Sequence, residues 1–146
     1  MGQFIILLTT IFALLTTPPT PVSNNIQRAF LQNNPHSLYS LFPKGYHVNF
    51  SFPEPISFSD QLTDQQAYFL FQKIFSDYLT FEFYSLSEAG EVQNRNYIYK
   101  ARWSFKDKNN NNQYVFHLFF LLKESEKGTK NKPGKWNIIE IKAERI

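Results

Sequence analysis

The chain has 146 residues, of which 42% are hydrophobic and 18% aromatic, and its formal charge is +3. That length fits one domain, and that composition supports a core without staples. There is no cysteine, which excludes disulfides, thiolate metal sites and thiol nucleophiles.

Residues 1–23 carry no Asp, Glu, Lys or Arg; Phe4–Leu15 is mostly apolar, and a Thr/Pro stretch follows to Ser23. A 12-residue helix at ~1.5 Å per residue reaches only ~18 Å, short of a ~30 Å hydrocarbon core. The run therefore fits the hydrophobic region of a signal peptide rather than a stable membrane span. It predicts export, to the periplasm or outside the cell. Cleavage is expected near Val22–Asn25, leaving a single domain at 24–146.

Two short helices are expected next, over Asn25–Leu31 and Pro35–Leu41. Asn24 or Asn25 can cap the first; Asn34 can cap the second, with Pro35 at its first position. Tyr46–Phe52 alternates apolar Tyr46, Val48, Phe50 and Phe52 with polar His47, Asn49 and Ser51, a strand pattern. Pro53-Glu54-Pro55 breaks it, and Ile56–Phe58 reads as a short return strand. Thr63 then opens the main helix. Thr63 and Gln66 have capping-box spacing, and Asp64 sits in the first turn, where the helix dipole favours an anion. Ala67, Leu70, Phe71, Ile74 and Tyr78 form its apolar stripe.

Four strands follow. Leu79–Leu86 is expected to place Phe81 and Phe83 on one side, with a turn at Glu88–Glu91. Tyr97–Lys106, Tyr114–Lys123 and Trp136–Arg145 alternate more cleanly, separated by the polar turn Asp107–Asn112 and the charged loop Glu124–Lys135. A period of two packs one face on a core and turns the other outward. A meander preceded by a helix is an α+β sheet.

That element order is similar to the nuclear-transport-factor-two-like superfamily, the cystatin-like cone domains, over Asn25–Arg145. More narrowly, Tyr114–Glu124 (YVFHLFFLLKE) and Trp136–Arg145 (WNIIEIKAER) resemble the closing strands of a family of small exported bacterial proteins with this fold, for which no function is assigned. The resemblance implies a curved, mostly antiparallel sheet wrapped around a long helix, cone-shaped, with short helices at the N-terminal end. It also implies frequent homodimers.

Enzymes of that fold place an Asp, alone or with His or Tyr, inside the cone for acid–base work. The inward series here offers no carboxylate: Tyr97, Tyr99, Ala101, Trp103, Phe105; Tyr114, Phe116, Leu118, Phe120, Leu122; Asn137, Ile139, Ile141, Ala143. Tyr97, Tyr99, Trp103 and Tyr114 are the candidates to line a pocket for a small apolar or aromatic ligand. His36, His47 and His117 lack metal-site spacing, so neither a metal nor a cofactor is expected. Residues 1–99 hold four basic and seven acidic residues; 100–146 hold eleven and five. The alternation sets Lys100, Arg102 and Lys106 on the face opposite the rings, which argues against single-stranded nucleic acid, whose binding wants both on one face.

The outward face keeps Ile98, Val115, Phe119, Leu121, Trp136 and Ile138, a contiguous apolar set that suits a homodimer interface. The sequence therefore points to an exported, non-catalytic binding or interaction module. The alternative is a small-molecule enzyme of isomerase or dehydratase type with a tyrosine-lined pocket.

Overall fold

The computed structural model describes residues 20–91, 96–132 and 134–146. The first helix, α1, spans Thr20–Leu31. It begins five residues before the expected Asn25, so Asn24 and Asn25 lie inside it and neither is the cap. The cause is an apolar stripe one turn longer than expected: Val22, Ile26, Ala29 and Phe30 are all buried. Pro21 stands in the first turn, where a missing N–H breaks no helical bond.

Two asparagines make the joint after α1. Asn33 takes a left-handed φ of 48°, its N–H donates to the Phe30 carbonyl at 3.1 Å, and the Asn34 N–H donates to the Ala29 carbonyl at 2.8 Å. This pairing satisfies the last free carbonyls of the helix. The Asn33 amide also donates to the Tyr78 carbonyl at 2.9 Å and accepts from the Thr80 N–H at 3.2 Å, tying the joint to the sheet. Asn34 caps α2, Pro35–Tyr39, as expected, accepting from the N–H groups of His36 and Ser37. The helix stops two residues short of Leu41. The Leu41 carbonyl instead accepts from Ile138 N–H at 2.8 Å.

Strand β1 is Val48–Phe52 and buries Val48, Phe50 and Phe52, as the alternation predicts. Tyr46 lies outside it and is 73% exposed. Strand β2 is Phe58–Leu62, later than the expected Ile56–Phe58. The N–H groups of Ile56 and Ser57 both turn back to the Pro53 carbonyl, and Ser57 has a φ of 51°, so these residues make the turn. Helix α3, Asp64–Asp77, starts with the predicted Thr63–Gln66 capping box and buries Ala67, Phe71, Ile74 and Phe75. Tyr78 opens β3 rather than closing the helix.

Strands β3 (Tyr78–Glu91), β4 (Asn96–Asp107), β5 (Gln113–Glu126) and β6 (Lys135–Arg145) complete one sheet in the order β2-β1-β6-β5-β4-β3. All pairs are antiparallel except β1 with β6. The fold class is therefore α+β, as expected. The expected turn at Glu88–Glu91 is strand instead, with Gly90 opposite Ile98 and Glu91 opposite Tyr97.

Two bulges overturn parts of the alternation. In β3 the register shifts between Thr80 and Glu82. Phe81 is the extra residue and is 52% exposed, while Thr80 and Phe83 are buried; Phe81 and Phe83 do not share a side. In β6 the partners step from Leu121–Glu140 to Leu122–Ile138, which makes Ile139 the extra residue. Each extra residue reverses the parity beyond it.

Candidate functional site

The concave side of the sheet is filled by rings. Phe30 reaches in from α1, with centroids 5.9 Å from Phe71, 5.4 Å from Phe75, 4.7 Å from Phe83 and 5.2 Å from Trp103. Trp103 stacks on Phe105 at 3.9 Å. Its indole N–H donates to the Thr80 hydroxyl at 2.8 Å, which explains why a threonine is buried there. The Tyr99 phenol pairs with the Ser85 hydroxyl at 2.9 Å. Burial pushes the Tyr99 pKa above its ordinary value, and the Ser85 hydrogen bond opposes part of that shift.

Of the four pocket candidates, Tyr99 and Trp103 are fully enclosed, while Tyr97 and Tyr114 pack at the edge of the same core. Tyr97 meets Trp136 edge-to-face at 4.9 Å, and Tyr114 stacks on Phe105 at 5.6 Å. They are core rings in contact with one another's neighbours. Thr80 and Ser104 are the polar residues buried among the described residues, and no acid or histidine is buried with them. Asp60 and Glu82 are exposed, and Glu140 faces outward beside Leu121.

The outer face needs one correction. Ile138 pairs with inward Leu122 and is fully buried; Trp136 packs against the core. Both were expected on the outer side, and the Ile139 bulge puts them inside. Ile98, Val115, Phe119 and Leu121 do lie outward. Strand β3 adds apolar groups that strict alternation misses: Leu79, Phe81, Tyr84 and Leu86 are between 37% and 52% exposed. Leu79 and Tyr84 stand opposite the outward Lys106 and Arg102.

Charges surround this patch. The Lys100 ammonium lies 5.2 Å from the Phe119 ring centre, within cation–π range, and Arg102 sits 3.8 Å from Glu82. His117, also outward, is held below its ordinary pKa by partial burial and then by Lys100 and Arg102, with Glu144 opposing. A shallow depression bounded by Ile98, Phe119, Leu121, Glu140 and Lys142 runs into a cleft of about 700 Å³. Leu121 and Ile139 are among its apolar lining groups, with Lys44, His47, Lys123 and Glu140 among its polar ones. The bulge that sends Ile138 inward thus gives Ile139 to this cleft.

No family model matches the chain, and no curated protein matches it in sequence. Solved structures do match in shape. A DUF4783 family protein from Bacteroides ovatus is 17% identical with a TM-score of 0.60, covering 84% of this chain and 93% of that one. A ketosteroid isomerase-like protein from Erwinia carotovora atroseptica is 9% identical with a TM-score of 0.63, covering 87% and 92%. An NTF2-like protein from Cytophaga hutchinsonii is 12% identical with a TM-score of 0.58, covering 87% and 94%. The element order, the six-stranded sheet wrapped on α3 and these likenesses together give the chain the nuclear-transport-factor-two-like fold.

Proposed function

We propose that this protein is an exported, non-catalytic interaction module that works through the outer face of its sheet, where two copies pair. One observation carries the reading: the concave interior is packed with rings and, among the described residues, buries no group that could take or give a proton at neutral pH. An isomerase or dehydratase of this fold would need a cone open to substrate, with polar tips converging inside it, and rings pack that space instead. The outward groups Ile98, Phe119 and Leu121 lie together, and Lys100 and Arg102 stand between them and the exposed Phe81 and Tyr84 of β3, a mixture of apolar and charged groups of the kind interfaces use.

Light scattering on the folded domain tests the pairing. The expected mass is that of a dimer at high micromolar concentration, and Phe119→Glu is expected to give a monomer with unchanged circular dichroism. A monomeric unmutated protein, with Phe119→Glu altering neither size nor solubility, would remove the outer face as an interface.

Export is the second part of the proposal, motivated by the uncharged apolar start. Our reading moves removal of the leader from Val22–Asn25 to a point upstream of Thr20, a choice supported by the burial of Val22 within α1. Mass spectrometry of protein from the native host is expected to find an N-terminus between Thr16 and Thr20. Soluble cytosolic protein retaining Met1–Leu15 would contradict it.

A further inference from the structure

The solvent side of α3 is polar at Gln65, Gln66, Gln72, Lys73 and Ser76, but Phe69 stands among them and is 63% exposed. It is one wall of an aromatic corner. Tyr68 lies edge-on to Phe69 at 5.5 Å and edge-on to Tyr39 of α2 at 5.7 Å. His36, also from α2, lies flat beside Tyr39 at 6.3 Å and perpendicular to Tyr68 at 6.5 Å. With Gln65 these four rings line an open cleft of about 400 Å³, within the range of small-molecule sites. It lies on the helical layer, away from the outer sheet face.

The chemistry of the lining narrows the ligand. No carboxylate, ammonium or guanidinium borders the cleft, so nothing there would neutralise a charged ligand. The polar groups present are two phenols, an imidazole and an amide, each able to donate or accept. Their side chains hydrogen-bond to no other described residue. A wholly apolar ligand would strip water from these groups and return nothing. A ligand with a flat C–H face and a hydroxyl edge satisfies both halves of the lining. Its face lies on a ring, and its edge reaches the phenols and the amide.

We propose that the corner formed by His36, Tyr39, Gln65, Tyr68 and Phe69 binds a neutral saccharide, with a pyranose face stacked on Tyr68 or Phe69. The site is independent of the pairing face, and the test separates the two. Maltohexaose, cellohexaose, mannohexaose and choline are each titrated into the full folded protein, with saturation-transfer NMR and calorimetry as readouts. At least one saccharide is expected to bind with a Kd of about 1 mM or tighter. Phe69→Ala is expected to weaken it by about tenfold or more, and Tyr68→Phe by less, since only a hydroxyl is lost. Phe119→Glu is expected to leave binding unchanged. Absence of transfer from all three saccharides at about 10 mM, binding that survives Phe69→Ala, or binding of choline alone would each overturn the proposal.

Discussion

Phe30→Ala is expected to lower stability by about 3–5 kcal/mol, the range for a large ring cut to Ala in a core. Phe30 is fully buried and meets rings from a second helix and three strands: Phe71 and Phe75 of α3, Phe83 of β3, Trp103 of β4 and Phe120 of β5. Four of these five contacts are edge-to-face, a geometry that adds to area burial. The cavity left would face rings held by four separate elements, so little could collapse into it. Helix α1 would also lose its central anchor, leaving Val22, Ile26 and Ala29. Denaturant unfolding measures the effect as a lower midpoint with an unchanged slope. A loss below about 1 kcal/mol would mean that α1 does not hold this position in solution.

Trp103→Ala is expected to cost a similar amount, about 3–5 kcal/mol, for a different mixture of reasons. The indole packs against both Phe105 and Phe116, and its N–H satisfies the buried Thr80 hydroxyl. Removing it opens a cavity and leaves that hydroxyl without its donor, itself a cost of about 1–3 kcal/mol. Trp103→Phe separates the two contributions, since it keeps a ring and deletes the N–H. Because Phe30 and Trp103 touch at 5.2 Å, the double variant should lose less than the sum of the singles. Strict additivity would mean the two rings do not share one packed space.

What the sequence made legible follows from how local each signal is. The Thr63–Gln66 box and the Asn34 cap were readable because a helix start is decided within four residues. The inward series on β4 and β5 was readable because no bulge interrupts the pairing between them. Ile138 and Trp136 were misplaced for the opposite reason. A bulge at Ile139 is set by pairing with β5, and WNIIEI reads equally well in either parity. Phe81 was misplaced likewise, since Thr80 is buried to serve Trp103, a partner 23 residues away. The early start of α1 was hidden because a proline-bearing stretch reads as a breaker until Val22 is seen to extend the stripe. The aromatic corner was illegible because His36 and Tyr39 meet Tyr68 only after α2 packs on α3.

Tryptophan quenching by acrylamide in a Trp136→Phe variant tests the central claim, that the cone is filled, most directly. Trp103 is then the only indole, and it is fully buried. Blue-shifted emission, almost no quenching in the folded protein and no spectral change on adding phenol or indole-free apolar ligands are the expected results. Red-shifted, readily quenched emission, or a shift on adding such ligands, would show an open pocket against Trp103 and contradict the account.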